Sequence, residues 1–246
     1  ASNDQTEKVA QKYVQINNRI KYFRNQHKIT MSQNWNKVFQ LTKSKYFMWA
    51  SGHDLWHKNY ISLCVDILEK NNEAVLVYGS SCFINEKNEK IKVFDNNVDT
   101  NYLKKTDRFN KFILSSNDFR CLYGLMRSEA IKKTHLLQDI FIADILFLSE
   151  LSIFGYFIKI PEILYFDRNI RPKETLFLVV KRYIHEFSPK NEMRRIVFFL
   201  LKTSYKYIET IFSLPIQFRY KIILPFITFW GLGIFGIKSS LRYIKK

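Results

Sequence analysis

Cysteine is scarce in this 246-residue chain, with only Cys64, Cys82 and Cys121. These three lack metal-ligand spacing and follow apolar patterns, so they are expected to be buried, reduced thiols, which fits a cytosolic face. Internal repeats and low-complexity segments are absent, and the opening residues do not form a signal peptide. Acidic residues are also few, 22 Asp+Glu against 39 Lys+Arg, a formal net charge of +17. No recognisable nucleic-acid motif accompanies that charge, and bases alternate with bulky aliphatics in the tail instead of forming a polar stripe. A nucleic-acid partner is therefore not expected.

Hydrophobic residues make up 47% of the chain and aromatic residues 16%, enough for a large core and too much for a disordered segment. The length suits one domain plus an appendage. Charge and hydrophobicity divide the chain near residue 170. Residues 1–170 hold 24 Lys+Arg and 18 Asp+Glu; residues 171–246 hold 15 and 4. The basic segment is also apolar, at Thr175 to Val180, Ile196 to Leu201 and Ile222 to Ile237, the last a run of 16 residues without a charge. A membrane-spanning helix needs about 20 apolar residues, and Pro225 weakens the start of this run. Arg219, Lys221, Lys238 and Arg242 flank it, so an interfacial segment on anionic lipid fits better than a span. Packing of these helices on the preceding domain is the other reading.

The most informative stretch is 46–79. An apolar strand, Tyr46 to Ala50, enters the polar turn Ser51-Gly52-His53-Asp54. An amphipathic helix with Ile61, Cys64, Val65 and Leu68 on one face comes next, and then a buried strand, Ala74 to Tyr78. A strand that stops at Gly and Asp delivers a carboxylate to the end of a sheet, where ligands sit in open α/β folds. Residues 80–120 are polar and read as a mobile loop with a short hairpin.

The 51–54 turn resembles the metal-binding Asp-x-Asp turn of family 2 glycosyltransferases, and other landmarks follow in order over about 165 residues. Ala1 to Thr6 looks like the end of the family's Asp-Asn-Ala-Ser-x-Asp-x-Thr loop. A helix, Glu7 to Ile16, and a short strand, Ile20 to Phe23, come next. Asn25 to Leu41 is similar to the Asn-x-x-x-x-Gly-x-x-x-Asn segment, with Thr30 where Gly is usual. Leu122 to Arg127 resembles the acceptor-side strand, Ala143-Asp144 the pair carrying the catalytic base, and Ile160 to Tyr165 the closing strand.

The resemblance implies an α/β fold: a GT-A-like open, mostly parallel sheet flanked by helices, with a C-terminal helical, basic and apolar tail. It implies a glycosyltransferase domain over 1–170 that begins inside the nucleotide loop, about 30 residues short of a full first strand–helix–strand unit, and a membrane-associating tail over 171–246. The activity it implies is inverting, metal-dependent transfer of a sugar from a nucleotide-diphosphate sugar to a hydroxyl on a saccharide or lipid-linked saccharide. That places the protein on the cytoplasmic membrane face, in cell-surface polysaccharide or glycolipid synthesis.

Individual residues acquire expected roles from the same source. Asp54 holds a divalent cation, Mn²⁺ or Mg²⁺, or else caps the following helix. His53 stands where the family usually has Asp; it is a second ligand, a hydrogen-bond donor to ribose or phosphate, or idle. Asp144 accepts the acceptor hydroxyl's proton, or caps a helix. Ser2, Asn3, Asp4 and Arg168 contact the donor nucleotide, although helix capping also accounts for the first three. Glu150 is structural, Arg127 sits in a solvated salt bridge, and Trp56 packs or stacks on a sugar or base. Because His53 and Thr30 depart from the family pattern, a catalytically weakened binding or membrane-anchored scaffold protein is the alternative function.

Overall fold

The structure is a computed structural model that describes residues 1–94, 99–115, 120–168 and 192–226. In chain order the elements are α1 (Thr6–Ile16), α2 (Met31–Gln40), β1 (Tyr46–Phe47), β2 (Leu55–Trp56), α3 (Tyr60–Lys70), β3 (Ala74–Ile84), β4 (Lys90–Phe94), α4 (Lys105–Ser115), β5 (Leu125–Arg127), α5 (Ser128–Ile131), α6 (Ala143–Phe154), β6 (Tyr156–Arg168) and α7 (Glu192–Ser213). The sheet order is β1-β5-β3-β6-β2, with β4 also paired to β3. β3 and β6 run parallel; the other four pairs are antiparallel, so the sheet is mixed and not mostly parallel. The connection lengths account for this. β3 turns back into β4 through a tight turn at 85–89, whereas β3 and β6 are joined by a long crossover that includes α4 and α6.

β3 is the centre of the sheet and is covered on both faces, which is why its sequence is almost continuously apolar. Val75, Leu76 and Tyr78 pack with α2, α4 and α6 residues in one core; Ala74 and Val77 pack with Tyr60, Cys64 and Leu68 of α3 in the other. The buried stripe of α3 is thus Tyr60, Cys64 and Leu68, and Ile61, expected on that face, is exposed. α6 buries residues on every side, from Ala143 to Ile153 with Asp144 alone partly exposed, and forms the central helix. β6 is 13 residues long and tolerates Pro161 because its register with β3 shifts between Gly79 and Ser80, leaving the proline in a bulge. Gly79 is required there, since a Cβ at this position would lie 2.6 Å from Leu164 Cβ.

Three expectations need correction. Ile20 to Phe23 forms no strand; Ile20 and Phe23 are exposed, and no described strand pairs with this segment. The ladder of the first strand ends at Phe47, not Ala50. The described part of 80–120 is largely regular structure, not a loop: β3 extends to Ile84, β4 completes the expected hairpin, and α4 packs on α6. Phe109, Phe112 and Ile113, at helical spacing, are the buried face of α4. Arg108 is buried beside them, donating from Nε to the Ser152 carbonyl at 2.7 Å.

The proposed boundary near 170 lies outside the described residues, as do Thr175 to Val180 and most of the 222–237 run. In the part of the tail that is described, Tyr207, Ile211, Leu214 and Leu224 enter the same core as α6. No described helix is long and apolar enough to cross a membrane. The three cysteines are free and buried, and burial pushes the Cys64 thiol up to about 12.

Candidate active site

Asp54 stands at the end of the sheet, one residue before β2, which pairs with the C-terminal end of β6. Its side chain is only 2% exposed and turns inward. Oδ2 accepts from the Tyr165 hydroxyl at 2.7 Å and Oδ1 from the Arg168 backbone N–H at 2.9 Å. Burial, and then this bond, push the Tyr165 hydroxyl well above its ordinary pKa, so it remains a donor. Asp54 does not cap α3, whose N-cap is Asn59.

His53 is half exposed, with Nδ1 3.0 Å from Ser51 Oγ and Nε2 3.5 Å from Asp54 Oδ1. Arg168 joins the group, but through its whole guanidinium: Nε donates to the His53 carbonyl, one terminal nitrogen to the Glu86 carbonyl and the other to Asn88 Oδ1. The 51–54 turn, the 85–89 turn and the end of β6 are thereby tied together. Trp56 packs over Tyr165 at 5.4 Å between centroids, and its buried indole N–H has no acceptor among the described residues.

A metal expected at His53 and Asp54 was tested against this arrangement. Both Asp54 oxygens are engaged, the carboxylate is turned from solvent, and no three His, Cys, Asp or Glu side chains converge among the described residues. As placed, these residues do not fit a metal.

Asp144 lies in the first turn of α6. Ile142, two residues before it, is the N-cap of α6 and adopts φ 55°, ψ 45°, left-handed backbone that a β-branched residue rarely takes. Such strain costs about 1–3 kcal/mol and persists only where surrounding contacts impose it. Asp144 Oδ1 accepts from the Ile145 N–H at 3.0 Å. Burial outweighs that bond and pushes the carboxyl up to about 6, a value that keeps it ionised at neutral pH and basic enough to take a proton.

The loop that delivers Asp144 is fastened from both sides. On one side α2 contributes Thr30, whose hydroxyl donates to Asp139 at 2.5 Å, and Asn36, which exchanges two bonds with Leu137. Thr30 also forms a capping box with Gln33, which explains a threonine where the family pattern has glycine. On the other side Glu150 is buried and accepts from the His135 backbone N–H and faces its Nδ1 at 2.7 Å. Burial raises its pKa, and its role is structural, as expected.

At the N-terminal end, Asp4 Oδ1 accepts from the Thr6 N–H at 3.0 Å, while the N-cap of α1 is Gln5, which makes no side-chain capping bond. The Ser2 carbonyl accepts from Arg24 at 2.7 Å, and Arg24 also pairs with Glu7. Ser2, Arg24, Asn25, Lys28, Thr30 and Asn34 line an open cavity of about 360 Å³; Asn3 is not among its lining residues. Thr30 thus borders this cavity while holding the Asp139 end of the Asp144 loop.

Residues 1–134, more than half of the chain, match glycosyl transferase family 2. The chain belongs to that family. No curated protein matches this family 2 chain. Among solved structures, S. aureus TarS aligns with a TM-score of 0.51 at 13% identity, covering 89% of this chain and 39% of that one. S. aureus TarS 1-349 aligns with a TM-score of 0.49 at 13% identity, over 89% of this chain and 64% of that one. This family 2 chain therefore spans less than two thirds of either structure. The fold is α/β and GT-A-like, with a curled sheet flanked by helices.

Arg127 is the residue whose role the sequence concealed. It is not in a solvated salt bridge; its guanidinium donates to the carbonyls of Ala74, Leu68 and Asn71, stapling the end of α3 to β3.

Proposed function

We propose that this domain transfers a sugar from a nucleoside-diphosphate sugar to an acceptor hydroxyl, with Asp144 as the general base and inversion at the anomeric carbon. The observation that carries this reading is the Asp144 carboxyl, held at the head of α6 by a strained turn and pushed up to about 6 by burial. A carboxylate with that basicity removes the acceptor proton as the hydroxyl attacks the sugar. The donor nucleotide is assigned to the cavity beside Thr30, where Arg24 and Lys28 favour an anionic ligand. The acceptor is assigned to saccharides, including lipid-linked ones, in cell-surface polysaccharide or glycolipid synthesis.

A lipid-linked acceptor places the work at the cytoplasmic membrane face. Support comes from large apolar side chains exposed beside bases: Phe198, Leu201 and Phe212 with Lys202 and Lys206 on α7, and Phe218, Ile222 and Phe226 with Arg219 and Lys221 after it. Each base near an anionic surface contributes about 1 kcal/mol. Co-sedimentation with vesicles containing anionic phospholipid is the expected outcome, reduced by raised salt. Recovery no better than with neutral vesicles would remove the membrane from the account.

The transfer itself is tested by incubating the protein with UDP-sugars and GDP-sugars and a saccharide acceptor panel, following nucleoside-diphosphate release and the anomeric configuration of the product. Acceptor-dependent release with inversion, lost in Asp144→Asn, is expected. Nucleotide binding without release in any combination would favour the binding-protein alternative.

A further inference from the structure

Helix α7 touches the loop of the proposed base at three successive points, all through side chains that are themselves buried. Thr203 Oγ1 accepts from the Phe141 backbone N–H at 3.2 Å, the Tyr207 hydroxyl donates to the Ile142 carbonyl at 3.1 Å, and Thr210 Oγ1 accepts from Gln138 Nε2 at 3.0 Å. The spacing of 203, 207 and 210 puts all three on one face of the helix. That face is polar where a packed helix would ordinarily be apolar, and each group has its partner on the 138–142 segment. Ile142, the left-handed N-cap, is the residue that Tyr207 grips.

We propose that Tyr207 and Thr203 are positioning residues for Asp144, holding the strained 141–142 turn and limiting the water that reaches the base, so that the tail is part of the catalytic apparatus and not only an attachment. The inference rests on the reading of Asp144 as the base. Two further observations support it. Tyr207 is fully buried, and its hydroxyl is pushed well above its ordinary pKa by that burial and, second, by the charge of the Asp144 carboxylate. The Asp144 pKa is set by burial, opposed by backbone N–H groups, so whatever changes its burial changes its basicity. Without the Tyr207 hydroxyl, the Ile142 carbonyl keeps the Ile145 and Leu146 N–H groups as donors but loses its tie to α7, and the turn is freed to relax toward ordinary helical backbone.

The test uses the full chain and needs no substrate. The protein is labelled with ¹³C-carboxyl aspartate, the Asp144 signal is assigned by its loss in Asp144→Asn, and its titration is compared in wild type and Tyr207→Phe. Amide hydrogen exchange of 139–146 is measured beside it. The Asp144 titration is expected to fall from about 6 toward the ordinary carboxylate range, by about one pH unit or more, as water reaches the carboxylate. Exchange across 139–146 is expected to rise at least about tenfold as the turn opens. An unchanged titration and unchanged exchange would overturn the inference. Thr203→Val, which keeps the shape and removes the acceptor for Phe141, is the second variant should Tyr207→Phe not fold, with the same expected and overturning results. Transfer by Asp144→Asn separates the two readings: its survival defeats the base assignment, whereas its loss with an unmoved Tyr207→Phe titration defeats the clamp alone.

Discussion

Replacing Asp54 with alanine distinguishes an anchor from a metal ligand. The carboxylate serves two donors, the Tyr165 hydroxyl and the Arg168 N–H, in a site it shares with almost no water. A hydrogen bond to a charged group is worth about 1.5–3 kcal/mol, and its removal here leaves both donors unpaired. Asp54→Ala is therefore expected to cost about 3–5 kcal/mol. For a protein of this size, each kcal/mol lowers Tm by about 2–4 °C, so the fall is roughly 6–20 °C. Asp54→Asn keeps an acceptor oxygen for one donor and should lose about half as much. Thermal unfolding followed by circular dichroism measures both, and titration with Mn²⁺ in the presence of UDP runs beside it. If Asp54→Ala melts within about 2 °C of wild type while Mn²⁺-dependent UDP binding disappears, the inward anchor is wrong and the residue is a ligand.

Other consequences are open to measurement. The Asp144 carboxyl, lifted from an ordinary value of 3.8 to about 6, contributes stability that is complete below pH 3.8 and lost as pH rises through 6. Asp144→Asn should accordingly raise Tm at pH 8, by an amount corresponding to about 3 kcal/mol, and leave it unchanged at pH 4; a lowered Tm at pH 8 would contradict the burial argument. Arg127→Ala removes the guanidinium donor from three backbone carbonyls, of which Leu68 and Asn71 keep a backbone N–H, and is expected to cost about 2–4 kcal/mol in urea unfolding, with Arg127→Lys recovering little; a neutral result would return Arg127 to the surface. Gly79→Ala forces a methyl group against Leu164 and should destabilise by about 1–3 kcal/mol, less when combined with Leu164→Ala. Cys64, with its thiol pushed up to about 12, should resist thiol reagents until the protein unfolds; rapid labelling of the native protein at pH 8 would refute its burial.

What was legible in the sequence was local. The helix after Thr6, the buried strand from Ala74 and the entry into the helix at Ala143 follow from patterns spanning a few residues, and the structure contains them. The capping box Thr30-Met31-Ser32-Gln33 is equally local and explains why threonine suits that position. The inward turn of Asp54 was not legible, because its partners Tyr165 and Arg168 lie 111 and 114 residues away. A turn Asp reads the same whether it faces a ligand or a strand end. Arg127 was misread for the same reason, its acceptors being carbonyls that carry no side-chain signature. The helix α4 was obscured by charged neighbours around Phe109, Phe112 and Ile113, whose spacing was the available signal. The grip of α7 on the Asp144 loop required knowing that residues over 60 positions apart meet.

The dependence of kcat/KM on pH, measured from 4.5 to 9 for wild type and Asp144→Asn with the sugar donor that gives release, tests the central claim most directly. The account predicts an acidic limb near pH 6 in wild type and turnover at least about a hundredfold lower in Asp144→Asn at pH 7.5, with the limb gone. Comparable turnover in the two proteins, or the same limb in both, would contradict it.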